Sequence, residues 1–527
     1  MKKCFTLCFV VVGLSLAQAR AGSGTWLPDP VNNDWNTPAN WSSNTVPGSL
    51  DAAMFEASNE TDIVISEQSG ASLLWFKPGA PAYHFTALPG GELGVQYGGI
   101  LNESGLPVSF ESAAGADGSG GAFYFYGGLP LQMTSLVTRP PQIAGGGGGS
   151  VWIFYEANAG SASFVNEGGI VPGTIGGETN FFAGESIPHG KAGTANIVNQ
   201  AGTVSGSTGG RTMFWSNSGA EKATIICEGA SVNGALGGLT VFIDRSRADD
   251  ATLVAESGSN GGSGGLIQFR NGTRGGDARI VLSGDGTLDI SLATTRQLTI
   301  GSLEGEGLVF LGLKPLSIGS NNLSTTFAGI IGDSGLLIKV GAGTLTLSGA
   351  STYGGGTTVS EGSLIVSNSS GSATGTGSVQ VDAGTLGGGG SIAGAVRVGT
   401  GRGEGAFLAP AAGTKRKTSL TIQDSLTMLA DATYTYTFKA KGNQARTDAV
   451  VANKVKLNGA SIALQGEGEG ALRTGLTLTL INNTALTPIN GTFSNLPEGA
   501  IVNVSGNNLQ ATYQGGDGND LTLTVVP

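Results

Sequence analysis

Apolar side chains alternate with small or polar ones over short runs in this chain, and the runs recur at a steady interval. Five phenylalanines open similar segments, Phe154, Phe182, Phe214, Phe242 and Phe269, at spacings of 28, 32, 28 and 27. The spacing of 32 becomes 28 if Ile187 to Gly190 is a four-residue insertion. The segments beginning at 214, 242 and 269 align in columns: Ser218, Ser246 and Thr273; Ala223, Ala251 and Ala278; Ile226, Val254 and Val281. The 182 segment supplies Ser186, Ala195 and Val198 to the same columns, and the 154 copy fits with a one-residue deletion. Period-two alternation in short β-branched runs is the signature of a strand. A unit of about 28 residues cannot bury its apolar face alone, but stacked copies bury it continuously.

This pattern predicts an all-β fold, a parallel β-helix (solenoid) with terminal caps and one coil per repeat, in which identical side chains form ladders. Roughly 500 residues at roughly 25 per coil predict about 20 coils and a rod on the order of 100 Å long. The divisions expected are 1-21, signal peptide; 22-150, N-terminal cap and first irregular coils, with a small sandwich as the other reading; 151-300, the 28-residue repeats; 301-414, a second repeat region; and 415-527, C-terminal coils and cap. The last carries alternating strands at Tyr434/Tyr436/Phe438, Leu476/Leu478/Leu480 and Leu521/Leu523. Glycine clusters at Gly145 to Gly149, Ser257 to Gly265 and Gly387 to Gly390 read as tight corners, or else as flexible linkers.

Composition narrows the field. The 527 residues include 92 glycines without an every-third register, which excludes collagen and argues against a helical bundle. With 39% apolar residues the chain has material for a core. Net charge is 27 − 38 = −11, and the one basic run, Lys415-Arg416-Lys417, reads as a solvated turn, so no nucleic-acid partner is expected. Lys2 and Lys3, the apolar stretch Phe5 to Leu16 and Ala17-Gln18-Ala19 (or Ala19-Arg20-Ala21) form a secretory signal. Beyond it no run reaches 18 apolar residues, so no transmembrane segment is expected in the mature chain. Cys4 and Cys8 leave with the signal, and Cys227 alone makes no internal disulfide; it reads as a small buried hydrophobe.

From about residue 300 the chain resembles autotransporter-associated β-strand repeat proteins. The similarity centres on Leu336 to Val366, with Lys339, Gly341, Gly343-Thr344-Leu345-Thr346-Leu347, Tyr353, Gly355-Gly356-Thr357 and Gly362 as landmarks. The lead-in 316–335, the stretch 375–398 with Leu408-Ala409-Pro410, the closing segments 434–438, 491–499 and 513–526, and the opening Trp26, Trp35, Asn40-Trp41 and 46–55 look similar too. The resemblance implies a right-handed parallel β-helix exported by Gram-negative bacteria, a passenger or extracellular structural region. The C-terminal segment lacks the alternating, aromatic-girdled strands of a translocator barrel, so the expectation is a passenger-like chain without its own barrel.

Candidate chemistry is sparse. His84 and His189 lie 105 residues apart, and His189 reads as a loop histidine. In the repeat register Asp250 and Asp277 share one column, and Glu221 and Asp249 the next; such acids could bind Ca²⁺ or serve glycoside hydrolysis. Arg247 and Arg274 share a column beside them, which favours a neutralised surface ladder. The segment Gly515 to Leu523 approximates a calcium nonapeptide, with Asp517 and Asp520 as ligands, but Leu521 falls one place early and the copy is single; a Gly-Asn-Asp turn is preferred. Trp26, Trp35 and Trp41 form either a glycan-stacking row or a plug for the first coil, and the plug is preferred. Glycine-rich phosphate patterns are discounted, as no Gly-Lys-Thr/Ser follows one. The expected function is an exported, non-catalytic structural or adhesive protein, secreted or on the outer cell surface, with the periplasm a further location. No cofactor is expected beyond a candidate Ca²⁺. Extracellular glycans or cell-surface proteins are the expected partners. The competing readings are a polysaccharide lyase or hydrolase, with its groove in 242–277, and a glycan-binding module using the N-terminal tryptophans.

Overall fold

Inward and outward side chains alternate along strands of three to five residues. In Thr224–Cys227, Ile225 and Cys227 are buried while Thr224 and Ile226 are half-buried. Too short to stand alone, each strand pairs in parallel with its counterpart one coil on: Ile225 opposite Leu253, and Leu253 opposite Ile280. Our computed structural model describes residues 22–115, 119–184, 190–403, 405–413, 418–468 and 470–527. The signal segment, His189 and the run 415–417 lie outside them.

Repetition of this pairing makes the chain an all-β parallel β-solenoid of about 17 turns. One wall is a 13-stranded sheet from Gly24–Thr25 to Ile330–Gly332. A second runs from Asp62–Ile65 to Ser461–Glu467. An eight-stranded third wall begins at Leu298–Ile300, where the coils shorten, and a seven-stranded fourth begins at Ser391–Ile392. The rod is about 80 Å long at the strand spacing of a sheet. That is shorter than 20 coils would give, because the C-terminal strands leave the parallel stack. Strands between Ala52 and Ser112 already pair in parallel within the first two walls, so no sandwich forms there.

The columns are real on both faces. Ile226, Val254 and Val281 are paired across successive coils on the outer side. Phe214, Phe242 and Phe269 stack at centroid separations of 4.7 and 4.8 Å, with planes 9° and 10° apart. The residue preceding Phe214 in this stack is Phe181, not Phe182, at 4.7 Å. Pairing places Ile153 opposite Phe181, and Phe154 opposite Phe182 and then Trp215, on the outer side. The sequence alignment was therefore one residue out in two copies. Each has two adjacent large apolar residues, and a shift of one exchanges the faces of a strand.

Beside the phenylalanines runs a buried polar column. The Asn166 amide donates to Asn199 Oδ1 at 2.7 Å, and the Asn199 amide donates to Thr240 Oγ1 at 3.0 Å. Thr179 and Thr212, from the facing wall, donate to Asn166 and Asn199 at 2.7 and 2.8 Å. Cys227 ends the column, 3.1 Å from Thr240 Oγ1. Burial pushes its thiol up to about 11, against the hydrogen bonds to Thr240 and Asn199, so it is an inert core residue.

Glycine supplies the corners. A Cβ on Gly210, Gly238 or Gly265 would fall 2.0, 2.0 or 2.1 Å from the carbonyl oxygens of Asn166, Asn199 and Cys227. Gly149 and Gly265 close two of the glycine clusters at this same corner, so these are contact points, not free linkers.

At the C-terminal end Tyr434, Tyr436 and Phe438 are buried on Ala432–Lys441. Beyond it Thr477–Asn483, Asp520–Val526, Asn507–Gly515 and Ile501–Val504 pair antiparallel and end the stack. The Asn495 side chain accepts from the Ile462 N–H at 2.9 Å and donates to its carbonyl at 2.8 Å, blocking the open edge of Ser461–Glu467.

Gly238→Ala should cost about 3 kcal/mol or more in chemical denaturation, because backbone must move. Gly442→Ala, left-handed but with nothing within 4 Å, should cost only about 1–2 kcal/mol. Gly238 is not left-handed, so a loss no larger than that at Gly442 would show that the approach of the coils does not require glycine at the corner.

Candidate functional site

The N-terminal tryptophans are core residues. Gly24–Thr25 pairs with Ala53 and Met54, Asp34 pairs with Val64, and the 3-10 turn Pro38–Asn40 folds the segment across the first coil. Trp26, Trp35 and Trp41 are 0%, 0% and 1% exposed. Trp41 meets the other two edge to face at 5.2 and 4.8 Å, and Trp35 lies 6.2 Å from Phe55. The indole N–H groups of Trp26 and Trp41 donate to the Glu60 and Trp35 carbonyls. None of the three offers an open face for a sugar. Among the described residues no coil lies beneath the first, and these rings take that place.

The acidic columns lie where the repeat register puts them. Thr252 pairs with Arg279, which sets Asp250 level with Asp277, and Arg247 pairs with Arg274. Glu221 contacts Lys191 at 3.1 Å, and Asp249 contacts Arg247 at 3.2 Å while accepting from the Glu221 N–H at 3.3 Å. Asp250 lines an open groove of about 530 Å³ with Arg247, Lys222 and Asp249; Asp277 does not. Glu221 and Asp249 have φ of 48° and 49°, in a column otherwise held by Gly160, Gly193 and Gly276. The turn demands a left-handed residue, and two coils fill it with an acid.

Asp517 and Asp520 flank a hairpin turn. Asp517 is exposed, whereas Asp520 is buried and its carboxylate accepts the Asn483 N–H at 2.8 Å, tying the last hairpin to its neighbour. Burial pushes the Asp520 carboxyl up, against that hydrogen bond. Among the described residues no three His, Cys, Asp or Glu side chains gather around a common point. His84 stands apart, between Ser109 and Thr86 hydroxyls at 2.8 and 3.2 Å.

What the sequence reading missed is the outer face of the 13-stranded wall. Tyr124 and Tyr126, Trp152 and Phe154, Phe182, and Trp215 point outward from four successive coils, half-buried. Tyr126 and Phe154 lie 5.2 Å apart with planes 6° apart; Trp152 and Phe154 lie 5.6 Å apart at 9°. Phe182 crosses Phe154 at 5.7 Å and 66°. Burial pushes the Tyr124 hydroxyl up to about 12, with Glu92 adding to the effect. Further along, Met213, Val241 and Ile243 form an apolar cluster separate from the core. A groove of about 600 Å³ continues there over Leu239, Leu266, Leu308 and Phe310. The signal was present in Ala122–Phe125 and Ser150–Phe154, where both alternating sets are large and apolar. One set fills the core, so the other must face out. A contiguous row of outward apolar rings is the kind of feature that marks an interaction surface.

Residues 337–366 match the family model of the Passenger-associated-transport-repeat. They fold as strands Leu337–Lys339, Thr344–Leu347, Thr357–Val359 and Ser363–Val366. The lysine of this repeat is a corner clamp. Lys339 is buried and its ammonium donates to the carbonyls of Val340, Gly341 and Glu361 at 2.7, 2.7 and 3.2 Å. Burial pushes it down to about 8, against the attraction of the Glu361 carboxylate. Among solved structures the chain is similar to the Haemophilus influenzae Hap adhesin, with 10% identity and a TM-score of 0.31 over 92% of this chain. It spans 60% of the length of that structure. No curated protein matches the sequence. No helix among the described residues is long and apolar enough to cross a membrane.

Asp249→Gly should leave stability unchanged or raise it by about 0.5–1 kcal/mol, since relief of a left-handed backbone outweighs a surface ion pair. A loss above about 1 kcal/mol in denaturant titration would show that the carboxylate itself holds the turn.

Proposed function

We propose that this protein is an exported, non-catalytic adhesive or structural solenoid, passenger-like in build, that acts as a secreted or outer-surface protein. The observation carrying this reading is the aromatic outer face, mounted on a wall whose strand ladder holds each ring in a set register. The passenger repeat at 337–366 supports the exported setting. Of the two acidic columns weighed for catalysis, one is engaged elsewhere: Asp249 with Arg247 and Glu221 with Lys191. General acid–base work needs a group free to exchange its proton with substrate.

A second reading, cleavage of polysaccharide, rests on Asp250 in its groove beside Arg247 and Lys222. The purified protein, with and without Ca²⁺, should release neither new reducing ends nor unsaturated uronates from acidic and neutral polysaccharides. It should instead be retained on surfaces coated with extracellular glycans or cell-surface proteins. Product that disappears with Asp250→Ala or Asp277→Ala would replace the adhesive reading with an enzymatic one.

A further inference from the structure

Resting on the adhesive reading, we propose that the outer aromatic face from Tyr124 to Trp215 binds an extended, neutral polysaccharide lying along the solenoid axis, one sugar per coil. Three observations carry it.

The first is spacing. Side chains in this wall repeat with the strands: the inner phenylalanines at 4.7 to 4.8 Å, and Tyr126 over Phe154 at 5.2 Å. An extended chain of linked pyranoses advances by a similar distance per sugar, so its contacts stay in phase across several coils. An extended peptide rises about 3.3 Å per residue, so its same-face side chains recur at about 6.6 Å and drift out of phase within two coils.

The second is the mixture of apolar ring and polar acceptor. Trp152 Nε1 donates to the Ser150 hydroxyl at 3.2 Å, and Trp215 Nε1 to Asn180 Oδ1 at 2.8 Å. Asn180 in turn donates to Glu178 at 2.5 Å. Asn180 is itself buried beneath the rings and orients Trp215, so the polar groups left beside the rings are the Ser150 hydroxyl and the Glu178 carboxylate. A sugar, apolar on its C–H face and polar around its rim, matches such a mixture.

The third is charge. Arg211, the cation on these rungs, is ion-paired with Glu178, and Glu92 stands beside Tyr124. Among the described residues a uronate or sulfated chain would meet acids and an arginine already paired, whereas a neutral chain loses nothing.

The test uses the full protein with soluble β-linked glucan and xylan oligosaccharides of increasing length, and polygalacturonate as the acidic comparison. Affinity should rise with each sugar and level off near four, the number of coils bearing these rings. Binding should alter tryptophan emission. Trp152→Ala and Trp215→Ala should each weaken it roughly tenfold, while Trp152→Tyr keeps most of it and circular dichroism confirms the fold of all three. Absence of binding to every neutral oligosaccharide by the folded protein would overturn the proposal. If retention on protein-coated surfaces then still falls in the same variants, the adhesive reading survives with a protein partner. Concentration-dependent self-association lost in those variants would overturn the proposal in favour of a second copy as occupant. Tighter binding to polygalacturonate than to neutral chains would overturn it as well.

Discussion

Every feature of this molecule follows from stacking backbone on backbone at the spacing of a β-sheet, in register. In a parallel stack each side chain sits directly above its counterpart in the previous coil. A residue is then judged chiefly by whether it tolerates its own likeness one strand away. Phenylalanine does, through ring stacking. Asparagine does, because its amide is donor on one side and acceptor on the other. A charged group is eased when a neighbouring position supplies the opposite charge, as Glu111 and Glu167 do on either side of Arg139 and as Asp249 does beside the Arg247–Arg274 column. The same stacking brings the corner backbone so close to the preceding coil that only a hydrogen fits there, which gives the glycine content a structural cause.

Such a stack is open at both ends, and the two ends are closed differently. Three indoles cover the first coil, where apolar ring faces would otherwise meet water. At the other end the exposed groups are also backbone donors and acceptors, so the chain reverses into antiparallel strands and spends the Asn495 amide on the last edge. Between the ends a rigid wall leaves its outer face free to vary without cost to the core. That freedom is why the aromatic rings can be carried outside: the inner set of each strand already provides the stability.

The residues legible in advance were those answering to period alone. The recurrence near 28 residues, the alanine and β-branched columns and the passenger-repeat landmarks were readable because each depends on sequence neighbours and on the copy one coil away. The Arg247–Arg274 column and its interleaved acids were legible for the same reason. The site was not. Phe154 and Phe182 were aligned with Phe214, Phe242 and Phe269 but face outward, whereas Trp26, Trp35 and Trp41, for which a plug was preferred over a sugar-stacking row, lie inside.

The sequence by itself determined the strand period, the all-β class and the need to stack, since no single repeat can bury its own apolar face. Only the tertiary structure decided which of two adjacent apolar residues enters the core. That choice depends on where the glycine corner sets the strand, an offset of one residue that reverses both faces and that periodicity is blind to. It also decided which rings are sealed and which are offered, because burial at the end of a stack depends on what lies beyond it, and no local pattern carries that information.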